Sequence, residues 1–173
     1  MEELRRLSYG IAIENNNKYN VKLNNGELIT NVWFDLMHLD ENSERIIFAY
    51  KKTTSEISSS EYQMMNYKYG AIYEGKINVN PIYDLLIFNY NNTYTGYKEE
   101  KSGYIDSRLG LEITPMIFSY AGLFNNGEAT VVYESNNMIF DIYNYKYATG
   151  NGIIYKKFNI DEFINKGKTK VLK

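Results

Sequence analysis

The sequence predicts an all-β protein made of consecutive antiparallel hairpins, with one short helix at the C-terminal end. Three observations support this prediction: the abundance of tyrosine, a fixed spacing between turn glycines and aromatic residues, and Asn-Gly pairs between short apolar segments. Tyrosine accounts for 18 of the 173 residues, whereas proline occurs only twice. Because the large tyrosine ring fits a pleated, half-buried surface, this composition favours strands.

One frame recurs three times along the chain: a short strand, a glycine turn, a second strand and a closing aromatic residue. The interval from turn glycine to closing aromatic is the same in every copy, from Gly26 to Phe34, Gly75 to Tyr83 and Gly110 to Phe118. An equal interval at three places indicates a repeat. The repeat-like units span about residues 18–52, 69–100 and 102–133.

The first and second copies are separated by an insertion of about 14 residues. Most of it falls in Thr53–Glu61, a Ser/Thr/Glu stretch that is typical of a loop. Insertions between repeats map to loops on one face, which is often the binding face. We therefore expect this segment to contribute to binding.

Residues 136–173 are expected to form a C-terminal hairpin, with Asn151-Gly152 as its turn, and a helix that caps the array. Asn159 followed by Glu162 is typical of a helix N-terminus. The whole chain, 1–173, is predicted to be a single domain. A small β-barrel or sandwich formed by the same hairpins is the alternative.

The third copy contains the residues of a known β-repeat. Gly103-Tyr-Ile-Asp106, Gly110, Phe118 and Asn126-Gly127-Glu-Ala129 resemble the WG repeat of bacterial and phage proteins. The first copy is similar to the variant of that repeat with Asn after the opening aromatic, at Tyr19-Asn20. The signature Trp-Gly pair itself is replaced by Tyr69-Gly70 and Ser102-Gly103. The resemblance covers about residues 18–133 and implies an interaction module without a shared enzymatic role.

Charge and cysteine content exclude several classes of site and partner. The chain has no cysteine, so disulfides and thiolate metal sites are excluded. It carries 19 basic and 21 acidic residues, and six of the lysines lie in the tail after residue 155. The body is therefore acidic and unsuited to binding the phosphates of nucleic acid. With no signal-like or membrane-spanning apolar run, we expect a cytoplasmic protein that has no membrane contact and no cofactor.

A catalytic interpretation would rest on one histidine and a few aspartates. His38, the only histidine, lies near Asp35 and Asp40 in the sequence and could be a general base beside either of them. Asp35 and Asp84 occupy the same repeat position and could be the paired carboxylates of a hydrolase. An aspartate that recurs with a turn is more typical of one that binds backbone amides. We therefore expect structural roles for both aspartates, no catalytic residue and no bound metal.

The candidate binding residues are tyrosines and methionines in or beside polar segments. They are Tyr62, Met64, Met65, Tyr67, Tyr90, Tyr94 and Tyr97. Tyrosine provides a large, rigid contact area with a polar end, and methionine adapts to irregular surfaces. We interpret them as the contact surface of a non-enzymatic protein-binding module, whose partner the sequence does not identify.

Two alternatives and one more specific version of this interpretation remain open. Lysine outnumbers arginine, as AT-rich coding produces, and this points to a low-GC bacterium, its phage or a mobile element. The more specific version is a phage or mobile-element protein that inhibits a host defence protein. The first alternative is a glycan- or small-ligand-binding β protein that uses the same tyrosines as stacking platforms. The second alternative is an acid-dependent hydrolase.

Overall fold

Antiparallel strands dominate the computed structural model, which describes residues 1–53 and 66–167. The strands form separate sheets of two to four strands, and none of the sheets in these residues closes on itself. The prediction of an all-β array of consecutive hairpins with a short C-terminal helix is therefore confirmed. By backbone contacts the chain divides into two compact units, Met1–Leu86 with Ser107–Gly110, and Ile87–Asp106 with the chain from Leu111 onward.

Within residues 1–53 and 66–167, a three-stranded antiparallel meander occurs four times. The first comprises β1 (Glu2–Arg6), β2 (Gly10–Asn15) and β3 (Lys18–Leu23). The second comprises β4 (Leu36–Leu39), β5 (Ile46–Lys51) and β6 (Tyr67–Tyr73), and is extended by β7 (Lys76–Tyr83). The third comprises β8 (Leu85–Asn89), β9 (Thr93–Lys98) and β10 (Lys101–Asp106). The fourth comprises β11 (Tyr120–Ala121), β12 (Glu128–Tyr133) and β13 (Asn136–Asp141).

The repeat is therefore longer than the sequence frame at both ends. Before the first copy, β1 pairs with β2 and β2 pairs with β3. At the other end, β13 follows the third copy and completes a meander with β11 and β12. The last meander lacks the turn glycine and closing aromatic of the frame. Its strands form because buried Ala129 and Val131 alternate with exposed Glu128 and Thr130, and this alternation is sufficient to define a strand with one buried face.

The chain after each turn glycine runs back along the strand that precedes it. Phe34 bridges to Tyr19, Phe118 bridges to Ser102, and β7 pairs with β6 in the same way. The turn glycines have φ of 90°, 78° and 72°, a region that glycine adopts without steric cost. All three closing aromatics are buried. The constant interval between glycine and aromatic is thus the length of this returning segment.

The returning segment also explains the glycine near the start of a copy. A Cβ at Gly103 would lie 2.4 Å from the Pro115 carbonyl oxygen, and one at Gly70 would lie 2.5 Å from the Val79 carbonyl oxygen. The first copy has Asn20 at this position. Its side chain is fully buried and donates a hydrogen bond to the Thr30 carbonyl at 3.0 Å. In the second and third copies, the glycine lets the returning segment pass close to the strand. In the first copy, the asparagine instead forms a hydrogen bond with the returning segment.

The insertion lies at the tip of a hairpin. Lys51 of β5 pairs directly with Tyr67 of β6, so residues 52–66 occupy the place of a tight turn. Two-residue turns stand at the matching positions of the other three meanders, at 16–17, 99–100 and 134–135. The repeat frame places the insertion between the units 18–52 and 69–100. In the sheet, this place is the connection between β5 and β6, which belong to the same meander. Most of the insertion, residues 54–65, lies outside the described residues.

Aromatic residues join the C-terminal elements to the core of the second unit. The hairpin of β14 (Lys146–Thr149) and β15 (Gly152–Tyr155) is followed by α1 (Ile160–Gly167). The helix begins as predicted, with the Asn159 side-chain oxygen accepting from the Glu162 N–H at 3.0 Å. The buried ring of Phe163 lies 5.8 Å from that of Phe118 and 6.1 Å from that of Phe140. None of the described helices is long and apolar enough to cross a membrane.

Candidate functional site: an uncharged aromatic surface

A buried asparagine joins the turn after β8 to a loop that lies much later in the sequence. Asn89 ends β8 and is only 3% exposed. Its side-chain oxygen accepts from the backbone N–H groups of Tyr90, at 2.7 Å, and Phe124, at 2.9 Å. Its amide nitrogen donates to Thr95 Oγ1 at 2.8 Å and to the Gly122 carbonyl at 3.3 Å. These four hydrogen bonds fix the β8–β9 turn and the later loop to each other.

A buried tyrosine of β10 holds the same loop. The hydroxyl of Tyr104, which is fully buried, donates to the Gly122 carbonyl at 2.8 Å. Burial raises the pKa of Tyr104, so its hydroxyl stays protonated and able to donate. The Tyr104 ring centroid also lies 4.5 Å from that of Phe124. The loop is therefore fixed by polar and aromatic contacts together.

A second tyrosine, Tyr143, is held beside this loop and lies in the short 3₁₀-helix Ile142–Asn144 that follows β13. Asp141 caps this helix by accepting from the Tyr143 N–H at 2.9 Å. The Tyr143 ring covers Gly127, where a Cβ would come within 2.2 Å of the ring carbon Cε2. The Asn91 amide donates to the Tyr143 hydroxyl at 3.2 Å, and the Ile142 N–H donates to the Gly127 carbonyl at 2.9 Å. Both ends of the Tyr143 side chain are thus held.

Three large side chains stand on this fixed base and are exposed. Tyr90 is 66% exposed, Leu123 is 53% exposed and Tyr143 is 58% exposed. The segments that carry them, residues 90–92, 122–127 and 142–145, are named the Tyr90–Tyr143 surface. None of these residues is charged, although 23% of the chain is. The surface therefore offers aromatic rings, one leucine and asparagine amides on a rigid support.

The structure separates the tyrosines that the sequence grouped as candidates. Tyr90 lies on the Tyr90–Tyr143 surface. Tyr94 is fully buried in β9, where its ring centroid lies 6.0 Å from that of Phe88. Its assignment as a surface contact is therefore wrong, because both faces of β9 are covered at this position, as the burial of its neighbours Thr93 and Thr95 shows.

The other candidates lie on strands or outside the described residues. Tyr97 is half-buried in β9, opposite Ser102. Tyr67 is half-buried in β6, with its ring centroid 6.4 Å from that of Tyr69. The remaining candidates, Tyr62, Met64 and Met65, lie outside the described residues.

The two repeat-position aspartates bind lysines and backbone. Asp35 accepts from the Lys51 N–H at 2.7 Å, as expected, and also pairs with the Lys18 ammonium. Burial by itself raises the pKa of Asp35, but these contacts outweigh it and hold the pKa below its usual value. Asp84 lies 2.9 Å from the ammonium of Lys52, whose side chain is only 2% exposed. Both carboxylates therefore hold elements of the first unit together.

The single histidine makes no hydrogen bond or ion pair with an acidic side chain of the described residues. His38 is exposed on β4, opposite Ile47. Asp40 instead accepts from the Ser43 hydroxyl and pairs with Arg45 at 3.0 Å, closing the β4–β5 turn. Across the described residues, no group of three His, Cys, Asp or Glu side chains is arranged to hold a metal ion.

Sequence reasoning missed Leu123 and Tyr143. The available signal was the lack of charge in residues 120–127 and 142–145, in a chain that is otherwise rich in charged residues. That signal does not show that the segments meet. Their convergence depends on Asn89 and Asn91, which reach contacts 35 and 52 positions later in the sequence.

Comparison of the chain with family models, with curated proteins and with solved structures yields no match.

Proposed function

We propose that this protein is a non-enzymatic module that binds another protein through the Tyr90–Tyr143 surface. The observation that supports this proposal is that buried Asn89 fixes the backbone beside exposed Tyr90 and Leu123, while Asp141 and Asn91 hold exposed Tyr143. Segments that are already held in place lose little conformational entropy when a partner binds, so more of the contact energy becomes affinity. Tyrosines are also among the residues that contribute most to protein interfaces.

The composition of the surface supports the same proposal. It consists largely of tyrosine, asparagine and glycine, with a few apolar residues. Antibody loops use the same chemistry: tyrosine supplies rigid contact area, and asparagine and glycine supply adaptable hydrogen bonding. A protein partner matches these properties, and the coding composition of the chain favours a host defence protein as that partner.

The distribution of acids and bases favours binding over catalysis. The Tyr90–Tyr143 surface contains no Asp, Glu, His, Lys or Arg, so it lacks the usual groups for general acid–base chemistry. Elsewhere, Asp35, Asp40 and Asp84 are engaged in ion pairs that join elements of the fold. These engagements support structural roles for the carboxylates that a hydrolase would need.

Site-specific photocrosslinking in cells that encode the protein tests the proposal. A photoreactive phenylalanine derivative is placed at Tyr90 or at Tyr143, and at Val32 as a control. Val32 lies in the other unit and is 64% exposed, which matches Tyr90. We expect a discrete protein adduct from positions 90 and 143 that is absent from position 32. No adduct at either tyrosine, or the same adducts at all three positions, would overturn the proposal.

A further inference from the structure

The structure also indicates what kind of partner the surface accepts. We infer that the Tyr90–Tyr143 surface binds an uncharged, extended peptide segment of its partner. This inference rests on the proposed function and deepens it, because it specifies the chemistry of the segment that makes contact. It follows from the charge of the surface, from its unused hydrogen-bonding groups and from the way in which Tyr143 is held.

The Tyr90–Tyr143 surface is uncharged: no residue of its three segments carries a formal charge, in a chain where 23% of residues do. A charged side chain that docked here would lose hydration without gaining an opposite charge, which is costly. An uncharged segment avoids that cost. Charge complementarity therefore selects a neutral occupant, and attraction at long range makes little contribution to its binding.

The surface also presents side-chain amides that make no hydrogen bond within the described residues. Four asparagine side chains on the surface make no hydrogen bond with any described residue: Asn92, Asn125, Asn126 and Asn144. Asn125, Asn126 and Asn144 are exposed at the loop and at the 3₁₀-helix. A side-chain amide has both a donor and an acceptor, which complement the C=O and N–H of a peptide group. An extended segment presents these backbone groups, whereas a helix uses them internally.

Tyr143 presents both a ring and a hydroxyl group at this surface. One side of its ring covers Gly127, while the side chain as a whole remains 58% exposed. Its hydroxyl accepts from Asn91, so the hydroxyl proton remains available to a carbonyl oxygen of the partner. The exposed part of the ring can pack against an apolar side chain of the same segment. Tyr143 thus recognises both an apolar side chain and a neighbouring carbonyl.

Selection from a phage-displayed library of random linear peptides tests this inference. The targets are the full-length protein, a Tyr90→Ser/Tyr143→Ser variant and a Val32→Ser control. We expect to select peptides that bind the wild type and the Val32→Ser control but do not bind the double variant. Their sequences should be depleted of Asp, Glu, Lys and Arg. Their affinity should change less than about twofold between roughly 50 mM and 500 mM NaCl.

A nearly isosteric change sharpens the test. Asn126→Asp introduces a negative charge and removes an amide donor at an exposed position whose φ of 51° asparagine and aspartate both tolerate. The affinity of the selected peptides for this variant should be about tenfold lower, which corresponds to about 1.4 kcal/mol. The melting temperature of the protein should not change. Asn137→Asp, at an exposed position on β13, is the matched control and should leave the affinity unchanged.

The outcomes distinguish the two levels of the proposal. The inference would be overturned by peptides whose binding requires Tyr90 and Tyr143 but which are rich in charged residues, or whose affinity falls tenfold as the salt concentration rises. The proposal that partners bind at this surface would remain. A selection that yields no tyrosine-dependent peptide would overturn the inference. If a panel of neutral oligosaccharides then bound through Tyr143, the occupant would be a glycan. If photocrosslinking at positions 90 and 143 also failed, the proposed function would fall as well.

Discussion

The side-chain oxygen of Asn89 accepts a hydrogen bond of 2.9 Å from the backbone N–H of Phe124, which lies 35 positions later in the sequence. The same oxygen accepts from the Tyr90 N–H at 2.7 Å. One buried atom therefore holds two of the three segments of the Tyr90–Tyr143 surface in register. The preorganisation of the surface therefore depends on the side-chain oxygen of Asn89.

Removing the Asn89 side chain should destabilise the protein and loosen the surface. Asn89→Ala leaves the N–H groups of Tyr90 and Phe124 without their acceptor, which should cost about 2 kcal/mol or more. The free energy of unfolding measures the loss, and hydrogen exchange at the Phe124 amide, which should accelerate, locates it. Asn137→Ala, at an exposed position on β13, should cost less than about 0.5 kcal/mol. Equal losses in both variants would contradict the role assigned to Asn89.

The buried pair of Lys52 and Asp84 should be more important than the exposed pair of Lys18 and Asp35. Asp84→Ala leaves the Lys52 ammonium buried without the carboxylate 2.9 Å away, and should cost about 3 kcal/mol. Lys18→Ala removes a pair whose lysine is 51% exposed, and should cost at most about 1 kcal/mol. Chemical denaturation measures both. A Lys52→Met/Asp84→Leu double variant should regain most of the loss, since it removes both charges. A double variant as unstable as Asp84→Ala would contradict this explanation.

Gly103 should tolerate no side chain. Gly103→Ala places a Cβ 2.4 Å from the Pro115 carbonyl oxygen, so the returning segment of the third copy must shift. We expect a loss of about 2 kcal/mol or more in the free energy of unfolding. Gly150→Ala, with no atom within 4 Å of the added Cβ, is the matched control and should be within about 0.5 kcal/mol of the wild type. A neutral Gly103→Ala would show that the backbones do not approach so closely.

The turn between β9 and β10 should accept a stabilising replacement. Glu99 and Glu100 have φ of 52° and 67°, values that disfavour residues with long side chains. Asn-Gly suits such a two-residue turn, so Glu99→Asn/Glu100→Gly should stabilise the protein by about 1 kcal/mol. Asn17→Gly, in a turn that already begins with Asn16, should gain less. A double variant that melts below the wild type would contradict this account of the turn.

Sequence reasoning reached the features that depend on local chemistry. The turn glycines, the buried closing aromatics and the Asn159 cap could be predicted because each follows from residues a few positions apart. The place of the insertion in the sheet could not be predicted, because the repeat frame does not show that the strands on either side of it pair with each other. The pairing of Lys51 with Tyr67 shows this.

The candidate site depends on contacts that sequence patterns do not encode. Tyr90 could be identified because it follows a strand and precedes two asparagines. Tyr94, four positions later, resembles it in sequence but is fully buried, since both faces of β9 are covered. Tyr143 gains its place only through Gly127 and Asn91, and the latter lies 52 positions away. Tertiary contacts between residues that are far apart in the sequence decide which tyrosines reach the surface.

Hydrogen exchange of the protein alone and with a crosslinked partner, once isolated, tests the central claim most directly. The claim is that the Tyr90–Tyr143 surface is where a partner binds. We expect slower exchange on binding in residues 90–92, 122–127 and 142–145 together, while the tip of the β2–β3 hairpin, at 16–17, exchanges unchanged. The Tyr90→Ser/Tyr143→Ser variant should show no such protection at the same partner concentration. Protection that avoids all three segments, or that persists in the double variant, would contradict the account.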